Sequence, residues 1–284
     1  MNLLLLESHE LDADTHVRLS GPRADHLIRI LKVTPGASVR VGIIDGPVGE
    51  GIVADVAAGT VDLRCRFGTD VPARPTVDLL LALPRPKVLR RLWPQLAALG
   101  VGRIILTNAS RVERVYFDTH VLTEACYRAL LVEGLQQARD TRLPLVSVHR
   151  QFRKLIEDEL DPLAPAAARL VAHPDSDRDV TVAIERASCR RQAPAPETAD
   201  PGSGDPGNRQ MPTPHAGPVL LAIGPEGGWN EFELALLGAH RFEAISMGPR
   251  TLRTDTATIA LLALVHDALS KERAARLSLG FHQS

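Results

Sequence analysis

The chain has 284 residues, of which 44% are hydrophobic and 24% are charged, and its formal net charge at pH 7 is −1. This length and apolar content are typical of a folded globular protein and exclude a disordered or fibrous chain. The near-zero net charge excludes binding of nucleic acid by bulk electrostatic attraction, so any contact with RNA must come from a local basic patch.

The three cysteines, Cys65, Cys126 and Cys189, are far apart and have no spacing typical of metal ligands. This pattern predicts a reducing compartment and no metal site. The sequence contains no apolar span of the length that a membrane helix needs and no cationic segment with a cleavage site, so we expect no membrane association and a cytoplasmic location.

Residues 1–72 have the pattern of short β-strands joined by tight turns. Hydrophobic and polar side chains alternate at residues 39–43 and 61–67, and turn signals occur at residues 45–46 and 58–59. Short alternating strands with such turns predict a small β-barrel.

Residues 73–284 alternate between buried strands and helices, which predicts an α/β fold with a mainly parallel sheet. The predicted strands are Val77–Leu83, Arg103–Thr107, Val146–His149, Arg169–Ala172, Val219–Ile223 and Phe242–Met247. The predicted helices are Arg90–Leu99, Leu122–Ala138, one that begins near Phe152, one that begins after Asn230, and Asp255–Leu269. Residues about 187–218 are rich in Pro, Gly, Ser and acidic residues, which predicts a flexible insertion.

Two glycine-rich segments each follow an apolar strand and precede a helix. Ile223–Gly228 is the first, and the Asn230 and Glu233 that follow it predict a capping box at the start of a helix. Met247–Leu252 is the second, and Thr254 is predicted to cap the helix after it. Because α/β proteins bind ligands at the carboxyl ends of their parallel strands, both segments are candidate parts of a ligand site.

These segments, Ile223-Gly224-Pro225-Glu226-Gly227-Gly228 and Met247-Gly248-Pro249-Arg250-Thr251-Leu252-Arg253-Thr254-Asp255-Thr256-Ala257, resemble motifs of the SPOUT class of RNA methyltransferases. The resemblance is specifically to the RsmE family, which methylates N3 of a uridine in 16S ribosomal RNA. Further family landmarks are His26–Val33 with Pro35-Gly36, Leu81–Arg85, Leu99–Val101, Gln136–Ala138 with Arg142–Pro144, and Ala172–Pro174. The chain departs from the family pattern at Pro94, Gln95, Ala98 and Arg139-Asp140.

The resemblance implies a SPOUT-type deep trefoil-knot domain at residues 73–284, preceded by a small PUA-like RNA-binding β-barrel at residues 1–72. It also implies S-adenosyl-L-methionine as cofactor and a homodimer packed through the helices of the knot. The residues that it places around the cofactor are Ala172, His173, Pro174, Ile223, Gly224, Pro225, Gly227, Gly228, Met247, Gly248, Pro249 and Leu252. For His173, a packed loop histidine is an equal alternative.

Methylation of uridine N3 needs loss of a weakly acidic proton and an in-line approach of nitrogen to the methyl group, so orientation and anion stabilisation supply most of the rate. Arg250 and Arg253 are predicted to hold the deprotonated base or the RNA backbone, and Glu226 or Asp255 to accept or relay the proton. Glu226 can instead anchor its own loop, and Asp255 can instead stabilise a helix N-terminus.

Contacts with RNA are predicted in two places. His26, Arg29 and Lys32 are spaced by three residues, which favours one side of a helix and a compact phosphate-binding patch. A solvated helix face is the alternative. The resemblance adds three more positions, Arg85, Gln137 and Arg142.

The leading prediction is S-adenosylmethionine-dependent methylation of N3 of a uridine in the 16S rRNA of the 30S ribosomal subunit. One alternative is another SPOUT enzyme that acts on ribose 2′-hydroxyls or on transfer RNA. The other is a non-catalytic ribosome-assembly protein that binds RNA. The loop glycines and arginines favour an enzyme, and the lack of a G-x-G-x-x-G after a first strand is unlike a dinucleotide oxidoreductase.

Overall fold

The computed structural model describes residues 2–166, 168–192 and 219–280. The chain divides into two compact units, each assembled from segments that are distant in sequence. The first comprises the described residues of Met1–Pro75, Arg85–Ile104 and Arg114–Val146, and the second those of Thr76–Pro84, Ile105–Glu113 and Ser147–Ser284.

The first unit contains a five-stranded sheet in the order β1-β3-β4-β5-β2. Its strands are β1 (Leu4–Leu6), β2 (His16–Ser20), β3 (Ser38–Ile43), β4 (Val48–Ala57) and β5 (Thr60–Phe67). All neighbours pair antiparallel except β1 and β3, which are parallel. The predicted alternation along β5 is confirmed, because Val61, Leu63 and Cys65 are buried in one apolar core while Arg64 and Arg66 are exposed. Burial raises the pKa of the Cys65 thiol to about 11.

Helix α1 (Gly21–Asp25) follows β2 and continues as a π-helical turn over His26–Ile30. In this wider turn, the Leu31 N–H donates to the His26 carbonyl at 3.1 Å. Lys32 then adopts a left-handed backbone with φ of 51°, outside the helix. The prediction that His26, Arg29 and Lys32 lie on one side of a helix is therefore wrong for Lys32, because the helix ends before it.

The first unit also contains helices α2 (Pro86–Ala98) and α3 (Glu124–Ala138), which pack against each other. Pro94 lies inside α2, and its carbonyl faces Gly134 of α3 so closely that no Cβ would fit at Gly134. The ring centroids of Trp93 and Tyr127 are 5.3 Å apart across the same contact. Helix α3 ends at Arg139, whose φ of 62° is a conformation that favours glycine.

The parallel strands of the second unit belong to a sheet in the order β11-β9-β10-β6-β7-β8. Its strands are β6 (Val77–Ala82), β7 (Val101–Thr107), β8 (Leu145–His149), β9 (Ala168–Ala172), β10 (Val219–Ile223) and β11 (Phe242–Ile245). Strand β10 lies between β9 and β6 and is buried along its whole length, which explains its continuous apolar run. Strand β11 ends two residues before the predicted Met247, because the Ser246 N–H leaves the sheet and donates to the Arg178 carbonyl at 2.9 Å.

The remaining α-helices of the described residues belong to the second unit. They are α4 (Phe152–Lys154), α5 (Leu160–Leu163), α6 (Val180–Gln192), α7 (Glu231–Ala239) and α8 (Thr254–Gly280), with a π-helical turn at Leu155–Glu159. Helix α6 extends through residues 187–192 of the predicted insertion, and residues 193–218 lie outside the described part of the chain.

Helix α8 is longer than the predicted Asp255–Leu269 and packs against α6, β6 and β10. The prediction that Thr254 caps this helix is wrong, because Thr254 is already helical and the Ala257 N–H donates to the Arg253 carbonyl at 2.8 Å. The Thr254 hydroxyl instead donates to the Gly224 carbonyl at 3.4 Å. Within the described residues, no helix combines the length and apolarity needed to cross a membrane.

Candidate active site

A pocket of about 300 Å³ lies at the carboxyl ends of the neighbouring parallel strands β9, β10 and β11. Its walls are the segments that follow these strands, together with the first turns of α8. We call residues Gly224–Trp229 the first loop and residues Ser246–Arg253 the second loop. The volume is at the lower end of the usual range for small-molecule sites, and the position is where open α/β sheets bind ligands.

The structure brings most of the predicted site residues together at this pocket. The predicted cofactor residues that line it are Ala172, His173, Pro174, Ile223, Gly224, Pro225, Gly227, Gly228, Met247, Gly248 and Leu252. Pro249 lies in the second loop without lining the pocket. Of the predicted catalytic residues, Glu226 and Arg250 line the pocket, whereas Arg253 and Asp255 lie beside it at the start of α8.

The first loop is held by its own backbone and by the helix that follows it. The Gly228 N–H donates to the Pro225 carbonyl at 2.8 Å, and this turn requires a φ of 74° at Gly228, which favours glycine. Asn230 Oδ1 accepts the Glu233 N–H at 2.8 Å, and Glu233 Oε2 accepts the Asn230 N–H at 2.8 Å. The predicted capping box is therefore confirmed, and it fixes the carboxyl end of the first loop.

A third segment, which follows β7, is attached to the first loop. The second oxygen of Glu233 accepts the Ser110 N–H at 2.6 Å, although the Glu233 side chain is only 3% exposed. Next to Ser110, the Arg111 guanidinium donates a hydrogen bond to the Gly227 carbonyl and lines the pocket. A Cβ on Gly227 would lie 2.7 Å from Arg111 Cδ, so Gly227 leaves the space that the arginine occupies.

The second loop is exposed and has few internal bonds. Residues 247–253 are all exposed. The Ser246 hydroxyl accepts the Gly248 N–H at 3.1 Å and donates to the Gly248 carbonyl at 3.2 Å, and these are the side-chain hydrogen bonds within the loop among the described residues. Gly248 has a φ of 117°, which side chains other than glycine rarely allow. The loop therefore presents Arg250 and Arg253 as permanent cations on a loosely held stretch of chain.

The segment after β9 forms the remaining wall. The His173 N–H donates to the Ile245 carbonyl at 2.9 Å, and His173 Nδ1 accepts the Asp175 N–H at 3.3 Å. His173 thus both orders its own loop and lines the pocket, so the two predicted roles coexist. Strand β9 is itself anchored by Arg169, which is 6% exposed and donates to the His240 carbonyl at 3.1 Å. Its hydrogen bond to Asp161 lowers the pKa of that carboxyl.

Sequence reasoning missed several residues that line the pocket. They are Arg111, Trp229, Ile245, Ser246, Thr254, Ala257 and Leu261. Most of them adjoin the two motifs, and Ala257 and Leu261 are four residues apart on α8, so helical spacing from the motif could have identified them. Arg111 had no such signal, because it is 116 residues from its partner Gly227.

The predicted RNA-binding residues lie in the first unit and differ in exposure. Lys32, Arg85, Gln137 and Arg29 are exposed, and Arg29 Nε lies 3.4 Å from Asp25 Oδ1, whereas His26 is half-buried. The sixth residue, Arg142, has a side chain that is only 17% exposed.

The Arg142 guanidinium is occupied by intramolecular bonds. It donates to the Pro72 carbonyl and, at 3.3 Å, to the Asp45 carbonyl.

Within the described part of the chain, no group of three or more His, Cys, Asp or Glu side chains is arranged to hold a metal ion.

Comparison with known proteins defines the class to which this fold and pocket belong. A family model described as an RNA methyltransferase domain matches residues 72–266, and this range contains the whole pocket. The chain is 30% identical over 271 residues to the ribosomal RNA small subunit methyltransferase E of Treponema pallidum, covering 93% of this chain and 90% of that protein. The chain therefore belongs to the ribosomal RNA small subunit methyltransferase E family of RNA methyltransferases, and the family predicted from the motifs is confirmed.

Solved structures agree at the level of the fold. The chain is similar to the ribosomal RNA small subunit methyltransferase E of Neisseria gonorrhoeae bound to S-adenosyl methionine, with a TM-score of 0.66, 18% identity and coverage of 93% and 95% of the two chains. A methyltransferase of Legionella pneumophila in complex with the same cofactor matches with a TM-score of 0.66, 19% identity and coverage of 94% and 97%. The α/β fold of this chain is thus the fold of these two methyltransferases.

Proposed function

We propose that the protein transfers the methyl group of S-adenosylmethionine to N3 of a uridine in 16S rRNA of the small ribosomal subunit. Membership of the family makes the protein an S-adenosylmethionine-dependent ribosomal RNA methyltransferase. The observation that carries the proposal is the pocket at the ends of β9, β10 and β11, which gathers both glycine-rich motifs and a cationic loop.

The residues of the pocket fit this cofactor. Ile223, Ile245 and Leu261 are buried apolar side chains that suit one face of an adenine ring. The glycines of the first loop carry no side chain, so a ligand can approach the backbone closely, although the Gly224 and Gly227 carbonyls already accept hydrogen bonds from Thr254 and Arg111. When bound, the cofactor supplies an electrophilic methyl group on a positively charged sulfur.

The chain's own residues then have to orient the base and remove its N3 proton. Arg250 lines the pocket and Arg253 lies in the same exposed loop, so both are placed to stabilise an anionic base or to hold the RNA backbone. Glu226 lines the pocket and is exposed, which supports it as the proton acceptor. Asp255 is outside the pocket lining, and its Oδ1 accepts the Thr256 N–H at 3.0 Å, which favours its alternative role at the helix N-terminus.

The finer architecture is part of the same proposal. We assign residues 73–284 to a trefoil-knot domain, because the first and second loops line one pocket and the start of α8 is bonded to the first loop through Thr254 and Gly224. Residues 1–72 are assigned to a PUA-like barrel on the basis of the five-stranded sheet that they contain. The exposed Leu264 on the apolar helix α8 supports a homodimer, and a ribosomal substrate supports a cytoplasmic location.

Incubation with tritiated S-adenosylmethionine and small ribosomal subunits from a strain that lacks the activity tests the function directly. We expect label in 16S rRNA, identified as 3-methyluridine by mass spectrometry of nucleosides. A labelled ribose methyl group or labelled transfer RNA would contradict the choice of uridine N3 and favour another SPOUT activity. Tight cofactor binding without label would favour a non-catalytic assembly protein.

A further inference from the structure

Helix α2 has an exposed face that is strongly basic. We call Arg85, Lys87, Arg90 and Arg91 the basic face of α2, since all four side chains are exposed. Lys87 is three residues from Arg90 and four from Arg91, so these side chains are neighbours on one side of the helix. Arg85 precedes the first turn of the same helix.

The charges on α2 are not balanced by acidic residues of the same helix. Helix α2 contains no Asp or Glu, whereas the other long helices, α3, α6, α7 and α8, each contain at least one. Within the described residues, the charged groups of Arg85, Lys87 and Arg90 have no hydrogen bond or ion pair. Some other exposed arginines of the first unit are paired, for example Arg18 with Asp62 at 2.7 Å.

The position of these cations is unfavourable for the isolated helix. The N-terminal turns of a helix carry a partial positive charge, and cations placed there are repelled by it. Like charges three or four residues apart repel each other as well. Within the described residues, Arg85, Lys87 and Arg90 are the members of the basic face without a partner. In a chain with a net charge of −1, this local concentration of cations suits a polyanion that would neutralise it.

The opposite face of α2 holds the helix in place. Leu89, Leu92, Trp93 and Leu96 are buried and pack away from the basic face. The charged residues can therefore be replaced without disturbing the apolar contacts on which the position of the helix depends. The basic face is an exposed surface outside the active-site pocket, whose lining contains no residue of α2.

We propose that the basic face of α2 binds the phosphate backbone of the substrate rRNA, outside the pocket where methylation occurs. This inference rests on the proposed function, because it takes the rRNA substrate as the polyanion. Phosphate contacts of this kind hold and orient the RNA without reading its sequence. They add affinity that falls steeply as salt concentration rises.

The experiment compares the wild-type protein with the variant R85Q/K87Q/R90Q. Binding to small ribosomal subunits is measured at several salt concentrations, and methylation kinetics are measured with the same subunits. We expect the variant to bind about 10- to 100-fold more weakly, with a salt slope smaller by roughly 2 to 3, since each lost phosphate contact removes just under one unit. Cofactor affinity should not change, and the KM for subunits should rise more than kcat falls.

The R18Q variant is the matched control, because Arg18 is an exposed arginine of the same unit that is already paired with a carboxylate. We expect it to match the wild-type protein in subunit affinity and salt slope. The thermal midpoint of the triple variant should be equal to or above that of the wild-type protein, because repulsion within α2 is relieved. A triple variant that folds and keeps the wild-type affinity and salt slope would overturn the inference.

The two proposals fail in different ways. Wild-type protein that binds subunits but does not methylate them would contradict the proposed function, while the salt slopes still test the basic face. Wild-type protein that methylates 16S rRNA, together with a triple variant that does the same at equal KM, would overturn the basic face alone. Absence of any subunit binding by the wild-type protein would overturn both.

Discussion

The first and second loops line the same pocket but are built in opposite ways. The first loop is fixed by an internal turn, by the capping box of α7, and by Ser110 and Arg111 from a distant segment. The second loop is exposed and is held mainly by the Ser246 side chain. The wall formed by the first loop is thus fixed before any ligand binds, whereas few hydrogen bonds restrict the wall formed by the second loop.

This difference suits two different tasks in one methyl transfer. A fixed wall with exposed backbone groups suits a small ligand that must be held in one orientation. An exposed wall with permanent cations suits a large anionic substrate that arrives from solution. We therefore expect substitutions in the supports of the first loop to change stability and cofactor affinity, and substitutions of the second-loop arginines to change turnover.

The largest expected effect is on stability, from the E233A variant. Glu233 accepts hydrogen bonds from Ser110 and Asn230 and is almost fully buried. Because a hydrogen bond to a charged group contributes about 1.5 to 3 kcal/mol, we expect the free energy of unfolding to fall by about 3 to 4 kcal/mol. Chemical denaturation followed by tryptophan fluorescence measures this change.

The control is E231A, which removes an exposed carboxylate from the first turn of the same helix. We expect it to cost less than about 0.5 kcal/mol, through the helix dipole alone. Equal losses in the two variants would show that the bonds of Glu233 do not fix the first loop, and the contrast between the loops would weaken.

The next effect is on turnover, from the R253A variant in the second loop. If Arg253 stabilises charge that develops on the base, its loss should reduce kcat roughly 100-fold, which is about 2.7 kcal/mol in the activation free energy. Because Arg253 does not line the pocket, cofactor affinity should change less than about threefold. Single-turnover kinetics and cofactor titration separate the two quantities.

R250A sharpens the same test, since Arg250 lines the pocket and Arg253 lies beside it. A larger loss of turnover for R250A would identify Arg250 as the cation closest to the reacting base. An unchanged rate in R253A would remove Arg253 from the catalytic residues.

The third effect, on cofactor affinity, is expected from the R111A variant. Arg111 binds the Gly227 carbonyl of the first loop, so its loss should loosen the fixed wall. We expect the dissociation constant of the cofactor to rise about 10-fold, equivalent to about 1.4 kcal/mol, with kcat reduced less than about threefold. Isothermal titration calorimetry and steady-state kinetics measure these values.

The conservative variant R111K keeps a donor but not the planar fork, so partial recovery of affinity is expected. A fall in kcat with unchanged cofactor affinity would assign Arg111 to substrate binding. That result would contradict the assignment of the cofactor to the first loop and its supports and of the substrate to the second loop.

Local sequence signals predicted much of the fold and most of the pocket. The apolar run of β10 identifies a strand covered on both faces, and the spacing of Asn230 and Glu233 identifies a capping box, because both depend on neighbouring residues. Glycines next to strand ends likewise marked the first loop and most of the second as parts of the pocket.

Features that depend on distant or competing contacts could not be predicted. Arg111 reaches Gly227 across 116 positions, and no local pattern indicates that pairing. Threonine is a residue type that often caps helices, yet the Thr254 hydroxyl donates to the Gly224 carbonyl instead. The helix before Lys32 widens into a π-turn, so the three-residue spacing that predicted a shared face no longer applies.

The smallest expected effects compare one anchoring side chain from each wall. Asn230 caps α7 behind the first loop, and Ser246 bonds to the backbone of the second loop. N230A should lower the free energy of unfolding by about 1 kcal/mol, the usual cost of losing an N-cap. S246A should lower it by less than about 0.5 kcal/mol, because water can replace its bonds in an exposed loop.

The two variants should also differ in function. N230A is expected to weaken cofactor binding, since the fixed wall is disturbed, whereas S246A should weaken it less, because the second loop is already loosely held. Hydrogen exchange adds a direct measure of the contrast, because slow amides should be found at Gly228 and Glu233 and fast ones at residues 250–253 of the second loop. Equal protection of both loops would show that the second loop is as fixed as the first. Arg250 and Arg253 would then hold their positions before the substrate binds.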